Sequence, residues 1–187
     1  MKLLQLLPLG DFEDGLAETL STPLEQAFRL PCRLLPFRLD PEFAFHAERQ
    51  QYHSSELLHR MQEFVTSDSC RVLGLATVDL YIPILSFVFG EAQMGGPCAV
   101  VSAHRLSQDF YGLAPDRDLL RDRLVKEAVH ELGHTFHLTH CDDYLCVMAS
   151  SHAVEWIDLK QRGLCSICQK HVAAGIHQKH EVFTRES

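Results

Sequence analysis

The chain has 187 residues, 46% of them hydrophobic and 22% charged, with a formal net charge of −8. This is the composition of a globular domain long enough to bury a core. With no Lys- or Arg-rich run, nucleic acid and anionic membrane surfaces are poor partners, and no stretch is apolar for long enough to span a bilayer.

The chain opens MKLLQLLPLGDFED, a short apolar stretch interrupted by Gln5 and Pro8. Acidic residues follow rather than a small-residue cleavage site, so a first β-strand is expected, and a cytoplasmic location with it. Leu16, Leu20, Leu24 and Phe28 recur every four residues and predict a helix from about Asp14 to Phe28, with a break or a new helical start near Ser21 because of Pro23. CRLLPFRL predicts a second strand. Leu57, Leu58, Met61, Phe64 and Val65 give a 3–4 periodicity and a helix over 47–65. RVLGLATVDLY, nearly all apolar, predicts a buried strand. SFVFG reads as another strand, EAQMGGP as a loop and CAVVSAHRL as a further strand. A long helix is expected from Asp116 to about Phe136, with Asp116 and Asp118 favouring its N-terminus. The chain then turns irregular, with a last helix over 166–177.

The helix that begins at Asp116 ends in HELGHTFHLTHC, residues 130–141. His130 and His134 are four apart and leave one helix face a turn apart, as a chelating pair must. Glu131 lies where a carboxylate can take a proton from a water at that metal. His140 supplies a third ligand if the chain turns back after the helix. Three neutral imidazoles leave a fourth tetrahedral position open for water, whose pKa zinc lowers to about 7. This is a catalytic pattern suited to peptide-bond hydrolysis. For His46, His53, His59, His104, His171, His177 and His180, ordinary surface or core roles are expected.

Seven cysteines, an odd number, with no export signal argue against a disulfide framework. Cys32, Cys70 and Cys98 read as small buried hydrophobes. Cys141, Cys146, Cys165 and Cys168 crowd into 28 residues and suit a closed tetrahedral zinc site; a redox CxxC pair is the alternative.

The run HExxHxxxxxH, then Cys141, Cys146, Met148 and Cys165-x-x-Cys168, resembles the archaemetzincins, whose pattern is HExxHxxGxxHC with a CxM element and a CxxC pair. The stretch TVDLYIPILSFVFGEAQMGGPCAVVSAHRL is similar to the strands that precede the active-site helix in that family. The resemblance implies an α/β fold of the metzincin type, a twisted mixed β-sheet with backing helices and a small Cys-rich, mainly helical C-terminal lobe. It implies His130, His134 and His140 as ligands of a catalytic Zn2+, Glu131 as the base, Met148 as the Met-turn floor, and Cys141, Cys146, Cys165 and Cys168 as ligands of a second, structural Zn2+. One catalytic domain over 1–187 is expected, divided into lobes at 1–140 and 141–187.

The family's Gly is His137 here. Either His137 adopts the positive φ of the turn, at a cost of order 1 kcal/mol, or the helix runs on and His137 competes with His140. The first is the expected outcome, because His137 is only three residues past His134. The function expected is a zinc metallopeptidase, monomeric, acting on peptides or proteins. The competing reading is a non-catalytic zinc protein that binds a peptide or partner.

Overall fold

We describe residues 2–177 of a computed structural model, without the side chains of 69, 70 and 175–177. The expectations for Cys70, His177 and His180 lie outside what is described. In chain order the elements are β1 (Leu3–Pro8), α1 (Asp14–Phe28), β2 (Cys32–Leu34), β3 (Phe45–His46), β4 (Gln51–His53), α2 (Ser54–Met61), β5 (Ser69–Ala76), β6 (Leu80–Tyr81), β7 (Gly90–Ala92), β8 (Cys98–Ser102), α3 (Arg117–Thr135), α4 (Val154–Leu159) and α5 (Ser166–His177).

The main sheet has the order β2-β1-β5-β8-β7. Its first four strands are parallel, and β7 runs antiparallel on the edge. It is a mixed sheet backed by helices, as the resemblance implied. A smaller sheet, β3-β4-β6, sits apart. Strand alternation sends Leu4, Leu6, Leu73, Leu75, Ala99 and Val101 to one face, where α1 and α3 cover them. Leu7, Val72, Ala76, Cys98 and Val100 go to the other, against Leu57, Leu58 and Met61 of α2. Burial on both faces explains why the strands read as unbroken apolar runs. Cys146, Val147, Met148, Cys168 and Val172 pack into the α1/α3 side of this core.

Several expected boundaries move. Pro23 does not break α1, because buried Ala17, Leu20, Leu24 and Phe28 lie on both sides of it and hold one continuous stripe. The helix expected over 47–65 is confined to Ser54–Met61. The chain before it makes a tight turn, with Gln50 at φ 55° and its N–H on the His46 carbonyl, and then pairs as β4. CRLLPFRL contributes only three strand residues. RVLGLATVDLY is divided between β5 and β6, which belong to different sheets. The edge strand begins where SFVFG ends, and Glu91 and Ala92 pair with Val100 and Ala99 instead of forming a loop. The six-residue α4 has no counterpart in the sequence reading.

The helix that carries the site is well anchored. The Asp116 carboxylate accepts from the Leu119 N–H at 2.9 Å and caps α3. At the other end the Arg71 guanidinium, reaching from β5, donates to the Thr135 carbonyl at 2.9 and 3.1 Å and lies over the Phe136 ring. A cation at a helix C-terminus also meets the negative end of its dipole.

Candidate active site and metal centres

The last turn of α3 sets the geometry. His137 has φ 66°, in the left-handed region. Its N–H reaches the His134 carbonyl at 3.0 Å and the Leu138 N–H reaches the Gly133 carbonyl at 3.1 Å. Those two bonds form a Schellman motif with His137 in the place usually taken by Gly. The helix therefore stops where the resemblance required, and His137 lies outside the histidine cluster. Its imidazole lies over Gly95, where an added Cβ would meet Cε1 at 2.0 Å. The Gly95 N–H in turn donates to the His134 carbonyl at 2.9 Å, so the loop after β7 is fastened to the helix end.

The turn brings His140 back to His130 and His134. One ligand nitrogen from each lies within 4.8 Å of the others. His130 Nε2 and His134 Nε2 are 3.1 Å apart. Two nitrogens bound to one tetrahedral zinc at about 2.0–2.1 Å sit roughly 3.4 Å apart, so the pair is close to the required spacing. His130 Nδ1–H donates to the Val147 carbonyl at 2.9 Å and His134 Nδ1–H to the Leu138 carbonyl at 2.7 Å, leaving both Nε2 atoms for a metal. Burial lowers the pKa of all three histidines, His130 most strongly, with the Lys160 charge adding to it. All three are thereby favoured in the neutral, ligating form.

Glu131 is buried against β7. A Cβ on Gly90 would meet Glu131 Cγ at 2.7 Å and the Val100 carbonyl oxygen at 2.6 Å, so only Gly admits the carboxylate this close to the edge strand. Burial raises the Glu131 pKa well above the carboxylate range, and Glu127 and Glu91 add to the effect. A cleft of about 420 Å³ opens over this group. Phe87, Phe89, Gly90, Ser150, Ser151 and His152 line it together with the histidines. Glu127 also lines it and faces Lys160 at 3.6 Å.

The four cysteines form a second cluster, with their Sγ atoms within 4.8 Å of one another. Cys141–Cys165 and Cys146–Cys168 are each 3.9 Å apart. The edge of a tetrahedral Zn–S4 site is about 3.8 Å, whereas a disulfide needs about 2.05 Å. All four are free thiols. Hydrogen bonds from the Cys168 backbone hold the Cys165 thiol down at about 7, which favours the thiolate a metal binds.

Met148 is fully buried beneath α3, and a Cβ on Gly133 would meet its Sδ at 2.4 Å. The Gly inside HELGH thus leaves space for this Met.

Other expected roles divide. His46 and His53 pack on Tyr81, and His104 on Phe110. Cys98 is buried and Cys32 half-buried. Sequence reasoning missed Lys160, Gly90, Gly95 and His152. The only available signal for His152 was its position four residues past Met148; for the others, nothing short of the fold marks them.

The profile of peptidase family M54 matches residues 22–174, which include every residue of both clusters. An archaemetzincin of Methanocaldococcus jannaschii is 38% identical over 163 residues, covering 87% of this chain and 88% of its own. A structure described as a zinc-dependent peptidase from Methanocorpusculum labreanum superposes with a TM-score of 0.83 at 29% identity, over 90% of this chain and 99% of that one. The archaemetzincin of Methanopyrus kandleri superposes with a TM-score of 0.82 at 33% identity, over 95% and 97% of the two chains. With matches of this extent, the chain belongs to peptidase family M54, the archaemetzincin family of zinc metallopeptidases.

Proposed function

We propose that this metallopeptidase hydrolyses peptide bonds at a zinc ion held by His130, His134 and His140, with Glu131 as general base, and that Cys141, Cys146, Cys165 and Cys168 hold a second, structural zinc. The observation that carries the reading is the convergence of three imidazole nitrogens within 4.8 Å beside a buried carboxylate in an open cleft. Zinc bound there supplies Lewis acidity toward a water and toward the scissile carbonyl. Glu131, which lines the cleft beside the three histidines, is placed to take a proton from the attacking water and return it to the departing amine. The outer edge of β7, together with residues 87–89, offers backbone groups to an extended substrate. Met148 forms the apolar floor under the histidines. The closed set of four thiolates has no open position and contributes to folding rather than to chemistry.

His137 motivated the non-catalytic alternative. It takes the turn without displacing His140, and among the described residues no other feature favours that reading. The described cysteines are all free, which suits a reducing cytoplasm, and a monomer completes the chemistry without a partner. Among the described residues no helix is long and apolar enough to cross a membrane.

The test is incubation of the zinc-loaded protein with a diverse peptide library. Cleavage is expected, with Glu131→Gln reducing it at least a hundredfold at unchanged zinc content. Elemental analysis should give two zinc ions, and one in His140→Ala. Cleavage that persists undiminished in Glu131→Gln would refute the assigned role.

A further inference from the structure

Lys160 is a lysine with 4% of its surface exposed, an unusual burial for this residue type. It follows α4, and the chain around it runs alongside the segment that carries Met148. The Gln161 N–H donates to the Leu145 carbonyl at 2.8 Å, and the Val147 N–H to the Gly163 carbonyl at 3.3 Å. This short ladder brings the ammonium to the segment that carries Met148. There it donates to the Val147 carbonyl at 3.2 Å and faces Glu127 Oε1 at 3.6 Å. The Val147 carbonyl is also the acceptor for His130 Nδ1–H at 2.9 Å. Two donors, one fixed and one on a ligand ring, thus share one oxygen.

We propose that Lys160 is a positioning residue for the metal centre: its ammonium fixes the Val147 carbonyl and, through it, the ring orientation of His130. The partner of a metal-bound imidazole sets the ring's direction and its strength as a ligand. Here that partner is a backbone oxygen in the turn closed by the Ala149 N–H on the Cys146 carbonyl at 2.9 Å, and Lys160 is the second donor that fixes its direction. Lys160 is buried and is not among the residues that line the cleft. The Glu127 carboxylate, 3.6 Å away, balances its charge. Removing the ammonium leaves the carbonyl with His130 alone and leaves the Glu127 carboxylate, only 3% exposed, without its cation.

The inference rests on the reading of His130, His134 and His140 as ligands. The test uses the full chain loaded with zinc, and in parallel with cobalt(II). Zinc release to a chelator is followed for wild type, Lys160→Met, Lys160→Arg and the double variant Lys160→Met/Glu127→Leu. The double variant removes the orphaned carboxylate, so it separates folding from positioning. Lys160→Met is expected to weaken the more labile zinc 10- to 100-fold. It should alter the cobalt ligand-field bands of the histidine site and leave the thiolate-to-cobalt charge-transfer band of the cysteine site unchanged. The double variant should stay weakened, and Lys160→Arg should recover most of the affinity. Wild-type affinity in Lys160→Met overturns the proposal. So does full recovery in the double variant, since Lys160 would then only neutralise Glu127. His140→Ala is the separate control: if it retains both metal ions, the ligand reading itself fails, whatever Lys160 does.

Discussion

The turn at His137 permits a quantitative test of how the third histidine is delivered. The perturbation is a pair of substitutions, His137→Gly and His137→Ala. Both delete the imidazole and its contact with Gly95, so they differ only in backbone preference at φ 66°. A Cβ in the left-handed region costs about 1–2 kcal/mol. Glycine escapes that cost but loses about 0.4–1 kcal/mol through the greater freedom of its unfolded chain. The glycine variant should therefore be the more stable by about 0.5–1 kcal/mol, or about 1–4 °C in Tm for a domain of this size. The assay is equilibrium urea unfolding at one fixed excess of zinc, so that metal linkage is the same for both. Both variants should still bind zinc at the histidine site, because the two backbone bonds that form the turn need no side chain. An alanine variant as stable as the glycine variant, or more so, would refute the assignment of a strained turn.

Three further outcomes follow from the packing. Gly95→Ala places a Cβ 2.0 Å from the His137 ring, on a backbone with φ 68°, and should destabilise strongly; adding His137→Gly should recover the part due to the clash, which the same urea titration measures as a coupling between the two sites. Gly90→Ala forces a Cβ to within 2.7 Å of Glu131 Cγ and should lower kcat at least tenfold while elemental analysis shows zinc content unchanged; a full-rate variant would mean that Glu131 has room to spare. Burial pushes the Cys32 and Cys98 thiols up to about 12, so peptide mapping after iodoacetamide treatment at pH 8 should find both unmodified in the native protein and modified after unfolding.

Much of the site was legible because its spacing is local chemistry. His130 and His134 share a helix face by simple periodicity, and the thiols announce themselves by crowding. The alternation of strands and helices was legible in the apolar runs, and the mixed sheet came from the family resemblance. What escaped depends on contacts between distant segments. The periodicity over 47–65 was real only where Leu57, Leu58 and Met61 face the sheet, and upstream of Ser54 the turn at Gln50 and the pairing of β4 won. Pro23 looked like a break because sequence shows its missing donor but not the stripe that packs around it. Glu91 and Ala92 read as loop because short polar edge strands have no strong pattern. Lys160, Gly90 and Gly95 owe their roles to neighbours tens of residues away, and no local pattern marks them.

The segment from Cys141 to Met148 has a consequence for how this chain can vary in length. The Cys141 N–H donates to the Met148 carbonyl at 3.0 Å, closing the segment into a loop of fixed size. Inside it Cys146 faces the thiol cluster, Val147 turns its carbonyl to His130, and Met148 fills the space at Gly133. Three consecutive residues serve three different neighbours, so inserting or deleting one residue shifts all three out of phase together. Length changes should be tolerated in turns such as the one around Gly112, whose surroundings are open, and not here. The two clusters are thus locked to one reading frame, and a viable graft of either into another scaffold would have to carry this loop whole.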